Sequence, residues 1–254
     1  MGDLALFDSV ATGEWSPLPA TELKGTKVGV ARGYWFSDLD SEVERVTNDP
    51  CGSCKLQAAG AELVEAELPG LARLIDLTTL PIELHDVRYA LKKYLEGNEA
   101  KVTVDQLIAE ASADIQRDFR ELLPGGKFYV EDAAYKAACD VHRPKLKQTY
   151  TEYFAKTGVA AIVFPATMIP PALIGEDVEA TIRGKKVAFG TAVARNIAPG
   201  STAGLPGLVL PAGMTAGGLP IALEFDSPEG SDRSLLSLGL SVERVLGALP
   251  EPRF

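Results

Sequence analysis

The chain has little of what marks a secreted, membrane-bound or nucleic-acid-binding protein. Its three cysteines, Cys51, Cys54 and Cys139, in 254 residues make no disulfide framework, which fits a reducing cytoplasm. Basic residues are in the minority: Lys plus Arg is 25 against 35 for Asp plus Glu, a formal charge of −10. With no basic stripe to neutralise phosphates, the composition argues against nucleic acid and against an anionic membrane as partners. No apolar run approaches the ~20 residues that cross a bilayer. The first residues, MGDLALFDSV, carry an acid at position 3 and no basic n-region, so they do not read as a signal peptide. Leu6 stands where the myristoylation pattern wants Ser or Thr. A cytoplasmic protein is the expectation.

Motifs of catalysis are equally scarce. Gly126-Lys127 is followed by Phe128 and Gly184-Lys185 by Lys186, so neither is a Walker A loop. There is no H-E-x-x-H. Ser201 follows Pro199-Gly200, which is not a nucleophile elbow. His85 and His142 are the only histidines; a Ser-His-Asp site would need one of them, and the alternative is two half-exposed helix histidines. Cys51-x-x-Cys54 with Cys139-x-x-His142 has the residue types of a Cys₃His zinc site. The alternative is unrelated cysteines and a surface histidine. Arg183, Lys185 and Lys186 read as a solvated turn or as an anion site.

What is present is an alternation of strand-like and helix-like segments, hence an α/β class. Lys27–Ala31, Glu62–Leu68 and Ala160–Phe164 read as strands, the first two joined by a helix that runs from Ser41 to a stop at Gly60. Pro50, Gly52 and Ser53 interrupt that helix. An interior proline costs about 3 kcal/mol relative to alanine and an interior glycine about 1, so the helix is in two pieces or the segment is foreign to the fold. The middle is helical: Glu83–Glu96, a Thr103/Gln106 capping box, and Glu131–Lys156 with an interruption near Pro144. Thr181–Phe189 reads as a hairpin turning at Arg183-Gly184. Leu208–Leu210 and Ile221–Phe225 read as strands, and Ser231 opens a last amphipathic helix. One domain over 1–254 is expected, with 1–21 as tail or linker and 22–254 as the folded part.

The unusual segment is Asn196–Gly213, NIAPGSTAGLPGLVLPAG. Pro199, Pro206 and Pro211 forbid one continuous helix, yet the segment is too apolar for a solvated loop. Small residues let backbone approach a ligand closely, and Ser201 and Thr202 carry hydrogen-bonding hydroxyls. The alternative is a strand end packed tightly against a helix. Thr167 and Met168 follow the buried strand AAIVF, the end of a strand where open α/β sheets bind ligands.

FPATMIPPALIGED, RNIAPGSTAGLPGLVLPAG and GLPIALEFDSPEGSDRSLLSLGLSVERVLG resemble the C-terminal part of the amidase signature family, most of all its mandelamide and indoleacetamide hydrolase branch. LKGTKVGVARGYWFSDLDSEV is similar to the segment that follows the family's catalytic region. The resemblance implies the C-terminal part of a large mixed sheet sandwiched by helices, with the N-terminal catalytic part absent. It implies hydrolysis of a carboxylic amide, of aryl or arylalkyl type, without metal or cofactor. In the family a serine is activated through a second serine and a lysine, and backbone donors hold the oxyanion. The glycine- and serine-rich loop and the lysine motif do not occur between Met1 and Phe254, so no residue carries over as catalytic. Thr167, Met168, Asn196 and Ser201 are the candidates for substrate binding. PCGSC at 50–54 departs from the family's continuous helix. The chain is then half of an amidase and inactive alone, one subunit of a split amidase completed by an N-terminal half, or a non-catalytic binding module. A fourth alternative is a stand-alone hydrolase using Ser201 or a cysteine. Self-association into a homo-oligomer is a further expectation.

Overall fold

The computed structural model describes residues 1–48, 53–176 and 178–250. These form two compact units, Met1–Pro69 with Gln148–Phe254, and Gly70–Lys147.

The first unit opens with α1 (Gly2–Thr12), within the stretch expected as a tail. The amino terminus pairs with Glu243, 3.0 Å away, and Asp8 pairs with Arg233. Then come β1 (Lys27–Val30), the short α2 (Arg32–Trp35), α3 (Ser41–Asn48), α4 (Ser53–Ala58) and β2 (Glu62–Glu65). Of the residues that prompted the expectation of a broken helix between β1 and β2, Pro50 and Gly52 lie outside the described residues, and Ser53 is the first residue of α4.

The second unit is helical: α5 (Leu71–Gly97), α6 (Val104–Glu110), α7 (Ala113–Glu121) and α8 (Asp132–Ala137), followed by a π-helical turn at Ala138–His142. Helix α5 is longer than Glu83–Glu96. It starts at Gly70, whose φ of 75° only glycine adopts freely, and runs through Pro81. The Thr103/Gln106 capping box forms as expected, with bonds of 3.2 and 2.9 Å. The interruption expected near Pro144 is the π turn. Proline has no N–H for the preceding turn, and a widened turn accommodates that.

Helix α9 (Arg143–Thr157) leads to β3 (Ala161–Pro165). A small hairpin follows, β4 (Glu179–Ile182) and β5 (Lys185–Ala188). Arg183 and Gly184 both have positive φ, 51° and 79°, as a two-residue hairpin turn requires. Helices α10 (Phe189–Ala194) and α11 (Ala198–Ala203), strands β6 (Gly207–Met214) and β7 (Pro220–Asp226), and α12 (Asp232–Leu246) complete the chain.

Five strands make one mixed sheet in the order β2-β1-β3-β7-β6. β1 is parallel to β2 and β3; β7 is antiparallel to β3 and β6. The alternation of side chains sends Val28, Val163, Leu210 and Phe225 to one face, where α3 and α12 cover them with Val43, Val46, Leu238 and Val242. Each such side chain contributes about 2 kcal/mol when fully buried. The opposite face carries Phe164, stacked on Trp35 at 4.8 Å, and the carboxylates Glu224 and Asp226. Ser231 takes the N-cap position of α12, but its hydroxyl donates to the Pro228 carbonyl instead of capping.

Candidate functional site

The end of β3, the loop after it, α10 and α11 converge on one corner of the sheet. Asn196 joins them. It is fully buried, and its amide Nδ2 donates to the carbonyls of Pro165 (2.7 Å) and Trp35 (3.1 Å). Its Oδ1 accepts from Arg195 Nε and Nη2 at 3.1 and 3.0 Å, and its backbone carbonyl accepts from the Trp35 indole at 2.9 Å. A buried amide must satisfy all these groups, because each left unpaired costs about 1–3 kcal/mol. Arg195 continues outward, donating to the Ser37 carbonyl at 2.8 Å and lying over the Tyr34 ring. Burial pulls its pKa down.

Met168 belongs to the same corner. It is buried; its N–H donates to Ala192 O and its carbonyl accepts from the Asp40 N–H. The Thr167 hydroxyl turns back on the Ile169 carbonyl at 2.7 Å. Ser201, one turn beyond Asn196 on α11, is exposed. The four candidates are thus gathered around the C-terminal end of β3 and the start of α11. Met168 and Asn196 are buried within it, while Ser201 faces outward.

NIAPGSTAGLPGLVLPAG resolves into two elements. Pro199 sits in the first turn of α11, where its missing donor is no loss. Gly204 ends the helix with a left-handed φ of 77°, and β6 begins three residues on. The small residues are required by a feature that the sequence did not announce, a pair of acids under this segment. A Cβ at Gly200 would collide with the Asp226 carboxylate, and one at Gly207 would sit 2.9 Å from Glu224 Oε1 and 3.1 Å from Asp226 Oδ1. Glu224 and Asp226 are spaced i, i+2 on β7, so they share a face, and they are hydrogen-bonded to each other. Both are buried, and Glu224 Oε2 and Asp226 Oδ2 have no partner among the described residues. Burial pushes Glu224 up to about 7; burial and the neighbouring Glu224 charge push Asp226 well above the carboxylate range. The pair therefore holds a shared proton at neutral pH. The sequence signal was available: two acids at period 2 in the otherwise apolar run IALEFD.

His85, Cys139 and His142 lie in the helical unit, whereas positions 51 and 54 belong to the first. His85 Nε2 is 3.0 Å from Asp132 Oδ1, and its ring stacks on Tyr135 at 3.8 Å. Cys139 and His142 fall on the π turn. Cys51 lies outside the described residues, so the four-residue zinc arrangement is not visible as a whole. Among the described residues no three His, Cys, Asp or Glu side chains are grouped to hold a metal ion. No described helix is long and apolar enough to cross a membrane.

A mixed sheet covered by helices, with small-residue backbone packed against its β7 acids, defines an α/β protein whose sequence can be placed among known ones. The chain belongs to the amidase family, whose model matches residues 5–236. It is 32% identical to an indoleacetamide hydrolase of Agrobacterium vitis over 248 residues, 97% of this chain and 52% of that protein. It is 34% identical to a mandelamide hydrolase of Pseudomonas putida over 260 residues, 98% of this chain and 49% of that protein. Among solved structures, an amidase superposes with a TM-score of 0.72 at 21% identity, covering 96% of this chain and 51% of the other. The chain thus spans about half the length of the curated relatives it matches.

Proposed function

We propose that this chain is the C-terminal half of a hydrolase of aryl or arylalkyl amides, and that it acts once an N-terminal half supplies the serine nucleophile, its lysine base and the oxyanion donors. The observation that carries this reading is the surface left open by the fold. Strand β6 pairs with β7 on one side, and its other edge has no partner strand among the described residues. Such an edge is a template for another strand. Val209 on the same strand is 51% exposed. On α1, Leu6, Phe7 and Val10 are all more than half exposed, a contiguous apolar surface of the kind that marks an interface. An amidase half with its counterpart missing would look like this.

In this reading the corner at Thr167 and Met168 forms a wall of the substrate pocket, and Ser201 offers a hydroxyl from α11. Asn196 holds the corner together from behind. The aryl preference rests on the indoleacetamide and mandelamide hydrolases it is similar to. The test is reconstitution. The purified chain is assayed with indoleacetamide and mandelamide, alone and after co-expression with the N-terminal half of a relative. Ammonia release only from the co-purifying pair is expected. Turnover by the chain alone, abolished by Ser201→Ala, would overturn the reading in favour of a stand-alone hydrolase.

A further inference from the structure

Helix α11 lies directly on the Glu224–Asp226 pair. A Cβ added at Gly200 would fall on the Asp226 carboxyl group, and Gly207 closes on Glu224 Oε1 in the same way. The two carboxyl groups are hydrogen-bonded to each other, and such a bond needs a proton on one of them. Glu224 Oε2 and Asp226 Oδ2 have no donor among the described residues, and neither acid has an ion pair there. From α9 the buried Tyr150 hydroxyl faces them, itself without a hydrogen-bond partner. The sequences of α11, β6 and β3 bring no titratable residue.

Of the elements around the pair, α11 is held least. β7 is laddered to β3 on one side and to β6 on the other. α9 has 15 residues and buries the rings of Tyr150 and Tyr153. α11 has 6 residues, and those it buries are Pro199, Gly200 and Ala203. Side chains so small remove little apolar surface from water, and a segment with little burial opens at low cost. The segment's ends are fixed. Asn196 is bonded into the corner before it, and after it the Pro206 carbonyl accepts from the Ser227 N–H at 3.1 Å. Gly204 supplies a joint between them.

From this packing we infer that α11 is a pH-sensitive flap, closed on the acid pair while the pair is protonated and lifted from it, with water admitted, once the pair ionises. An ionised carboxylate under the closed flap has no cation to pair with and no water to solvate it, and moving the weakest cover relieves both. Under the closed flap burial holds Glu224 up to about 7, and burial with the neighbouring Glu224 charge raises Asp226 in the same direction. Solvated by an open flap, the two acids return toward their ordinary values of 4.5 and 3.8. Opening therefore releases protons, and it is favoured as the pH rises from about 4.5 towards 7. The inference rests on the proposed function for one consequence alone: α11 carries Ser201, so that side of the pocket wall loosens towards neutral pH.

The experiment is amide hydrogen exchange on the full chain in steps between about pH 5.5 and 7, without urea and in urea below the unfolding transition. The probes are the N–H groups of Ser201, Gly204 and Leu205, which donate to the carbonyls of Ile197, Ser201 and Gly200; the amides of β7 are the reference. Protection factors of the probes should fall by at least about tenfold per pH unit, the factor for one proton released on opening. That fall should not depend on urea, because a local opening exposes little surface, whereas protection of β7 should respond to urea. In Glu224→Gln/Asp226→Asn the probes should keep one protection factor across the range. Probe protection that is flat with pH in the parent, or that falls equally in the double variant, overturns the inference. So does a fall that follows urea as β7 does, because the opening is then global. The urea comparison uses the unaltered chain, so it decides the matter even where the variant fails to fold. No turnover is needed, so a chain that cannot be completed to an amidase still tests the flap.

Discussion

Raising the pH from 5 to 8 should destabilise this protein through Glu224 and Asp226, the reverse of what an ion-paired carboxylate does. In the folded chain Glu224 is held up to about 7, against an ordinary value of 4.5. Between those two values the folded state keeps a proton that the unfolded state has lost, so stability falls as pH rises. Only below the ordinary values of both acids, 4.5 for Glu224 and 3.8 for Asp226, are both states protonated at this pair, and there it costs nothing. Each tenfold in proton affinity is worth about 1.4 kcal/mol, so the rise to about 7 corresponds to about 3 kcal/mol lost by the top of the window. Asp226 is held up in the same direction, while in the unfolded chain it is ionised above its ordinary value of 3.8, so it adds to the loss. Tyr150 is the titratable group recorded beside the pair; burial raises it well above its usual value, so it stays neutral. The measurement is urea denaturation at pH steps between 5 and 8, on the parent and on Glu224→Gln/Asp226→Asn. The double variant keeps the shape and a neutral hydrogen-bonded pair but cannot titrate there, so titrations elsewhere cancel in the difference. The parent should lose at least about 3 kcal/mol relative to the variant across the window, since both acids contribute with the same sign. Parallel pH profiles for the two proteins would refute the reasoning, and a parent that gains stability with pH would reverse its sign.

Asn196→Ala should cost about 3 kcal/mol, because it strands the buried carbonyls of Pro165 and Trp35 and the guanidinium of Arg195; a denaturation midpoint unchanged from the parent would show that the corner does not depend on it. Trp35 stacks there, so its fluorescence should redden in the variant before global unfolding. Purified alone, the chain should bind hydrophobic dye and self-associate through β6 and α1, and a completing N-terminal half should abolish both; a monodisperse monomer with a sharp melt and no dye uptake would refute this and favour a self-sufficient binding module.

Local signals were legible where a single residue type decides the backbone. The Arg183-Gly184 turn, the Gly60 stop, where φ is 94°, and the Thr103/Gln106 capping box all follow from conformational or hydrogen-bonding rules that act within four residues. The expected helix began only at Glu83, two residues after Pro81, whereas α5 starts at Leu71. A proline inside a helix is normally a boundary, but α5 has Leu71, Leu74 and Ile75 buried ahead of it, and tertiary burial outweighs one lost hydrogen bond. The stretch before Thr21 looked like a tail because its apolar residues have no period that pairs with a core. In the fold α1 is anchored by charges, through the amino terminus on Glu243 and Asp8 on Arg233, and its apolar side chains point outward.

The small residues of NIAPGSTAGLPG posed a choice between a ligand-facing backbone and tight packing on a neighbour. The second is what Gly200 and Gly207 show, yet their neighbour is a proton-sharing acid pair, and α11 presses on it so closely that no Cβ fits at Gly200. Those contacts join residues 17 to 26 positions apart, and the strand register brings them together, so no local pattern encodes them. The same register explains the difference between Asn196 and Ser201. Both lie in the segment that drew attention as a pocket wall, but Asn196 is turned into the sheet and spends every polar atom on Pro165, Trp35 and Arg195, while Ser201 is turned out of it. A group already satisfied holds a wall in place; a group left free is available to what lies on the other side. In the proposed reading a completing half would approach from the side Ser201 faces.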